Sequence, residues 1–251
     1  MRSIILCEGF DEILIIGYYL YKTKGWLYQK DGSFSQLYSF PKLHKRNQLI
    51  EVYKKNNDLL AIWCVGGKDS FELAFKFIKK TNFNHPEEGI TDVFILTDRD
   101  RCEIEECILN IEKKMNDADL QVKELHNNDI NSFTYEEEGE QYKLNIYPVV
   151  LPFDKQGALE TVLLDAIAES GEEDHFIVEN AKKYVDDLIN GGKIQKYLQH
   201  ERLRLKAEFS SAISITNPDR STSLFDTLLT THSWEEKDIV KKHFNMFDKY
   251  L

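Results

Sequence analysis

The chain lacks most of the features that would mark it as secreted, membrane-borne or basic. It has no apolar run long enough to cross a bilayer: "ILII" and "VVL" are short, and charges interrupt the rest. No positively charged leader with an apolar core and a small-residue cleavage site opens it, since residues 4–7 read as a first strand. A soluble, cytoplasmic protein without membrane contact is therefore expected. The four cysteines, Cys7, Cys64, Cys102 and Cys107, form no C-x-x-C pair and have no paired histidine, so reduced thiols are expected rather than a zinc module. The seven histidines are scattered, with no H-E-x-x-H among them, and no G-x-S-x-G nucleophile elbow is present. "GGK" at 66–68 lacks the upstream glycine spacing of a nucleotide P-loop. Positive charge is also scarce. A net charge of −11 argues against a protein that holds nucleic acid mainly by neutralising phosphates. Carboxylates gathered to hold a cation count as negative until that cation binds, so the balance leaves a metal enzyme open.

What is present suffices for a core. Of 251 residues, 42% are hydrophobic and 12% aromatic, which fits one large domain or a domain with a helical appendage. "SIILC", "LLAIWCV" and "TDVFILTD" are short apolar runs that read as strands buried on both faces. Between and after them, "DEILIIGYYLYK", "KDSFELAFKFIKKT" and "EIEECILNIEKKMND" carry apolar residues at helical spacing. Doubly buried strands separated by helices indicate parallel pairing with right-handed crossovers. The expected fold is α/β, an open, mainly parallel sheet flanked by helices, over residues 1–125. An aromatic-rich β-hairpin, "GWLYQKDGSFSQLYSF", inserts at 25–40, and a helix is expected from Pro41 through "PKLHKRNQLIEVYKKN". Residues 126–156 predict a second hairpin with an acidic, solvated tip at 136–140. Residues 157–251 predict a helical segment packed on the core. Its pieces include "IQKYLQHERLRLKAEFSSAISI", "STSLFDTLLT" and a last helix capped by Ser233 with Glu236 as a capping box.

The acids are placed unusually. The first strand ends in Glu8 before Gly9, with Asp11 and Glu12 close behind; the third ends in "ILTDRDR", giving Asp98 and Asp100. Residues two apart in an extended segment face one side, so both aspartates are expected to address one ion. If the strands carrying Glu8 and Asp98 are neighbours, three carboxylates share a small volume. That is costly unless a divalent cation compensates them, and Mg²⁺ or Mn²⁺ takes such oxygen ligands. Plainer roles exist for each. Glu8 and Asp98 could cap helices, Asp11 could complement a helix dipole, and Lys68, Arg99 and Arg101 could pair with the acids or meet phosphate.

"LCEGFDE", "WCVGGKDS" and "ILTDRD", in this order at three strand ends, resemble the Toprim domain of topoisomerases, primases, ribosomal-RNA maturases and OLD (overcoming lysogenization defect) nucleases. The resemblance covers roughly residues 1–120, with the hairpin as an insertion. Glu8-Gly9 followed by Glu12 matches the Glu-Gly-x-x-Glu form of the OLD nucleases. "GALETVLLD" is similar to the Gly-x-Leu-Glu segment that supplies their late acids, which would add Glu160 and, less directly, Asp165. "RLKAEFSSAIS" would add Lys206 as a cation facing the phosphate or its leaving group. The resemblance thus implies a metal-dependent phosphodiesterase acting on DNA or RNA. One or two Mg²⁺ or Mn²⁺ ions would be held by Glu8, Glu12, Asp98, Asp100 and Glu160, with Glu8 and Lys206 catalytic, and a role in nucleic-acid processing or phage defence would follow. The other implied reading is a catalytically inactive Toprim-like scaffold that binds a protein partner or a second copy of itself.

Overall fold

Apolar residues at both parities of a short run demand cover on both faces, and the first strand, β1 (Arg2–Cys7), has it: Ile4, Ile5, Leu6 and Cys7 are fully buried. The structure is a computed structural model and describes residues 2–30, 40, 49–192, 194, 196–218 and 232–251. It divides into two units, one of Met1–Thr97, Cys102–Val150 and Met246–Leu251, the other of Asp98–Arg101 and Leu151–Asn245.

The first unit is built on a seven-stranded mixed sheet, in the order β2-β3-β4-β1-β5-β7-β6. Its strands are β1, β2 (Leu27–Tyr28), β3 (Leu49–Lys55), β4 (Asp58–Cys64), β5 (Asp92–Asp98), β6 (Asn131–Glu137) and β7 (Glu140–Leu151). The α/β fold with an open sheet is as expected. β1 lies parallel between β4 and β5, while β2–β3, β3–β4 and β6–β7 pair antiparallel. Helices α1 (Phe10–Lys24), α2 (Phe71–Asn84) and α3 (Ile104–Asn116) follow β1, β4 and β5 in the chain. One face of the sheet, with Ile4, Leu6, Trp63, Val93 and Ile95, packs on Phe71, Phe75 and Ile78 of α2 and Ile108, Ile111 and Met115 of α3. These helix positions recur every three or four residues, the spacing of one buried stripe. On the opposite parity Phe94 stacks on Tyr147 and meets Phe247 from the end of the chain.

One local expectation fails here, and another falls largely outside the described residues. The helix expected from Pro41 is, where described, the strand β3. It pairs with β4 across a turn in which Asn56 has φ 54, a left-handed conformation that asparagine tolerates. Apolar residues in "LIEVYKK" satisfy a helical pattern by accident, and a free edge on β4 outweighs that weak local preference. In the hairpin at 25–40, the first arm, Leu27–Tyr28, pairs with Lys54 and Tyr53 of β3. Most of its second arm, and residues 41–48, lie outside the described residues.

The second unit is helical: α4 (Leu159–Ala168), α5 (Glu172–Asn190), α6 (Glu201–Thr216) and α7 (Asp238–His243). α4, α5 and α6 pack against one another, and α7 packs on α4. α6 begins at Glu201, later than the run from Ile194 predicts. "STSLFDTLLT" lies outside the described residues. The single last helix is instead a 3₁₀ turn at Trp234–Glu236, then α7, then α8 (Asn245–Tyr250) of the first unit; Lys237 is extended and breaks it. Ser233 makes no side-chain cap, because the turn that follows is tightened around a buried Trp234. No helix among the described residues is long and apolar enough to cross a membrane.

His243 gives this unit a pH dependence. It is fully buried; Nε2 accepts the Phe153 N–H at 3.1 Å, so Nδ1 carries the proton and donates to the Ile239 carbonyl at 2.8 Å. Burial pushes its pKa below the ordinary histidine value; Lys242 lowers it further, while the Ile239 carbonyl and the carboxylates of Asp154 and Asp165 oppose the shift. The unfolded chain therefore binds the proton first. Stability conferred by neutral His243 is full above about pH 6.5 and is lost as pH falls through the lower folded value. Urea midpoints measured from pH 7.5 to 5 should fall in the wild type, and more shallowly in His243→Leu. Identical pH slopes would show that another group governs acid lability.

Candidate functional site

In the first unit the loops after β1 and β4 are tied together. Gly66 and Gly67 take φ 81 and 110, which L side chains rarely adopt, and so turn the Gly67 N–H onto the Glu8 carbonyl at 3.0 Å. The pairing Leu6 with Ile95 puts Thr97, two residues on, level with Glu8, and the Thr97 hydroxyl donates to Glu8 Oε1 at 2.5 Å. Lys68, first residue of the 3₁₀ turn Lys68–Ser70, holds its ammonium 3.7 Å from the same oxygen. Glu12, buried one helical turn after Glu8, folds back over the strand end: a Cβ placed on Gly9 would meet its Oε2 at 2.7 Å. Only glycine leaves room for that carboxylate. Cys64 lies nearby, its thiol pushed up to about 11 by burial, with Glu12 and Asp11 adding to the shift. It is thus a protonated core thiol at neutral pH.

The second unit gathers the remaining candidates. Asp100 and Gly157 form an antiparallel bridge, with N–H to carbonyl bonds of 2.7 and 2.8 Å in the two directions. Asp98 Oδ1 accepts the N–H of Leu159, 61 positions away, at the start of α4. A carboxylate there satisfies an orphan donor and meets the positive end of the helix. Glu160, the next residue, is buried, and Lys206 of α6 places Nζ 2.6 Å from its Oε1. Gly157 has φ 146, and a Cβ there would meet the Thr161 hydroxyl at 2.4 Å, so the bridge that receives Asp100 needs a glycine. Asp98, Asp100, Glu160 and Lys206 are thus assembled by three contacts between "TDRD" and "GALE" and one between α4 and α6.

Some expected geometry is absent. Asp100 has φ 55, so the extended alternation that would turn Asp98 and Asp100 to one side ends between them. Along β5, Thr97 shares the face of Val93 and Ile95, and Asp98 that of Phe94 and Leu96. Asp165, about 140° around α4 from Glu160, pairs with Lys155 instead. Arg101 pairs with Glu201, and Arg99 is buried with its N–H on the Leu151 carbonyl at 2.7 Å. Among the described residues, no three His, Cys, Asp or Glu side chains are arranged to hold a metal ion as they stand. The donors are nonetheless all oxygen, the chemistry that Mg²⁺ takes. Glu8 and Glu160 each already face a cation within their own unit, the ammonium of Lys68 and of Lys206 respectively. Sequence reasoning missed Thr97 and Gly157. The first needs the β1–β5 register; the second was quoted only as the start of "GALE".

No protein-family profile and no curated protein matches the chain. Among solved structures, it is similar to a hypothetical protein, PH0156, from Pyrococcus horikoshii OT3. That likeness spans 98% of this chain and 99% of the other, at 15% identity and a TM-score of 0.48.

Proposed function

We propose that the chain is a metal-dependent phosphodiesterase of Toprim type, akin to the OLD nucleases, acting on DNA or RNA. The reading is carried by one observation: the strand-end aspartates and the "GALE" helix start, remote in sequence, meet with Lys206 on Glu160. Acids with only a solubilising role have no reason to be engaged one by one by segments so remote in the chain. In the second unit Asp98, Asp100 and Glu160 would hold Mg²⁺ or Mn²⁺, and Glu8 and Glu12 are the acids that the first unit would offer such an ion; the metal would supply polarisation of a phosphoryl oxygen and a lowered pKa for a bound water. Lys206, whose ammonium lies 2.6 Å from Glu160 Oε1, would supply positive charge to the phosphate or its leaving group. Glu8, held by the Thr97 hydroxyl, is oriented as an acceptor for a proton of the attacking water.

A second reading, a Toprim-like scaffold that binds a protein partner or a second copy, has its own support. Lysines already compensate Glu8 and Glu160, and no three acids converge among the described residues. Calorimetric titration with Mg²⁺ and Mn²⁺, run beside cleavage assays on labelled single- and double-stranded DNA and RNA, separates the two. Metal binding with metal-dependent cleavage is the expected result. No heat and no thermal stabilisation by either metal would favour the scaffold.

A further inference from the structure

The chain is acidic as a whole and basic in one place. Between residues 193 and 206, "KIQKYLQHERLRLK", five lysines and arginines stand against one acid, Glu201, in a chain of net charge −11. In the second unit that acid is already engaged, because Arg101 pairs with it. Lys196 and Arg202 are exposed and Arg204 is half-buried. Among the described residues no carboxylate pairs with any of these three. Arg204 donates from Nε to the Leu198 carbonyl at 3.0 Å, which holds the guanidinium against the bend before α6 and leaves its charge in place. Arg202 and Lys206 lie one turn apart on one face of α6, about 6 Å along its axis. Lys206 in turn meets Glu160 of α4 at 2.6 Å, so this basic face runs up to an acid of the candidate site.

An aromatic ring stands among these charges. Tyr197 is 68% exposed, and the Lys196 ammonium lies 5.3 Å from its ring centroid. A single exposed ring needs no explanation by itself. One set among three cations, on a molecule otherwise rich in acids, has the make-up of a surface that takes phosphates and bases together. We infer that residues 196–206 form a binding track for single-stranded nucleic acid, with Arg202 and Arg204 on its phosphates and Tyr197 stacked on a base. A duplex keeps its base faces stacked inward and offers none to the ring, whereas a single strand does. An acidic protein would meet the arginines but has no base for Tyr197. The surrounding negative charge repels phosphates elsewhere and so confines a strand to this segment. A strand held on Arg202 is delivered to Lys206 and Glu160 one helical turn on. That the bound strand is also the cleaved substrate rests on the nuclease reading; the binding itself does not.

The test is binding without metal, which keeps its failure distinct from that of the nuclease reading. In EDTA, a labelled oligonucleotide of about 16 nucleotides, as DNA and as RNA, is titrated against the full chain by fluorescence anisotropy at several salt concentrations. The same strands annealed to their complements are titrated alongside. The single strand should bind about tenfold or more tighter than the duplex, the worth of one stacked base. Arg202→Gln and Arg204→Gln should each lower the slope of log affinity against log salt by about 0.7, the loss of one phosphate contact on a single strand. Tyr197→Ala should weaken binding about tenfold or more with that slope unchanged, and Tyr197→Phe should restore it, because a ring stacks and a methyl group does not. Lys241→Gln, changing an exposed lysine of α7, should alter neither. Melting temperatures of the free proteins report that each variant folds. No binding of a single strand, equal binding by all the variants, or a duplex bound as tightly overturns the proposal. Displacement of the oligonucleotide by polyglutamate at matching concentration overturns it too and marks an acidic protein partner. Binding in EDTA without cleavage in Mg²⁺ or Mn²⁺ upholds the track and refutes the nuclease reading alone.

Discussion

Asp98→Asn should lower metal-dependent cleavage by about 10³-fold or more while the chain stays folded. A charged ligand that stabilises transition-state charge by several kcal/mol is lost, and each 1.4 kcal/mol is about tenfold in rate. The amide preserves what Asp98 does structurally, because its oxygen still accepts the Leu159 N–H at the start of α4. Asp98→Ala removes that acceptor too, and should cost about 1 kcal/mol in addition, as the loss of a helix-terminal acceptor does. Comparing the two separates chemistry from capping: both should be inactive, and only the alanine variant less stable. The measurements are Mn²⁺-dependent cleavage rates and urea midpoints on the same preparations. Cleavage retained by Asp98→Asn would remove Asp98 from the metal set and with it the strongest reason for the nuclease reading.

Phe247→Ala should destabilise the first unit by about 3–5 kcal/mol, a core-sized loss from a position four residues before Leu251. Phe247 is fully buried, its ring 5.6 Å from that of Phe94, which stacks in turn on Tyr147. The segment is held by more than packing. The Tyr19 hydroxyl donates to Asp248 Oδ2 at 2.5 Å, the Lys24 ammonium to the Asp248 carbonyl at 2.6 Å, and the Lys55 ammonium to the Leu251 carbonyl at 3.2 Å. Burial and the neighbouring Asp248 raise the pKa of Tyr19, so its hydroxyl remains a donor throughout the working range. Fluorescence of the buried Trp26 and Trp63, measured in a Trp234→Phe background to remove the second unit's signal, reports this unit. A shift under 1 kcal/mol would show that the last helix is a frayed end rather than part of the core.

Much of the fold was legible from pattern. β1, β4 and β5 are runs with no polar interruption, and such a run is stable only between two apolar layers. α1 to α3 show a stripe at helical spacing, and the hairpin β6–β7 turns at Glu138-Gly139, both at positive φ. β3 was not legible, because "LIEVYKK" satisfies two periodicities over seven residues and the choice between them is made by pairing with β4 across the turn at Asn56. The split last helix was hidden for a related reason: burying Trp234 rewards a tight turn that the capping pattern at Ser233 does not encode.

For the candidate site, the division falls between residue type and pairing. Which acids end strands follows from sequence alone, since a strand end is a local matter; that Gly157 receives Asp100 does not, because the two are remote in the chain. Register and helix packing decided the partners: Thr97 and Lys68 for Glu8, the Leu159 N–H for Asp98, Gly157 for Asp100, Lys206 for Glu160. A carboxylate's behaviour depends on the charge and donors within a few ångströms, and those come from segments far apart in the chain. Composition can place an acid at a strand end, but only the folded chain chooses the cation that faces it.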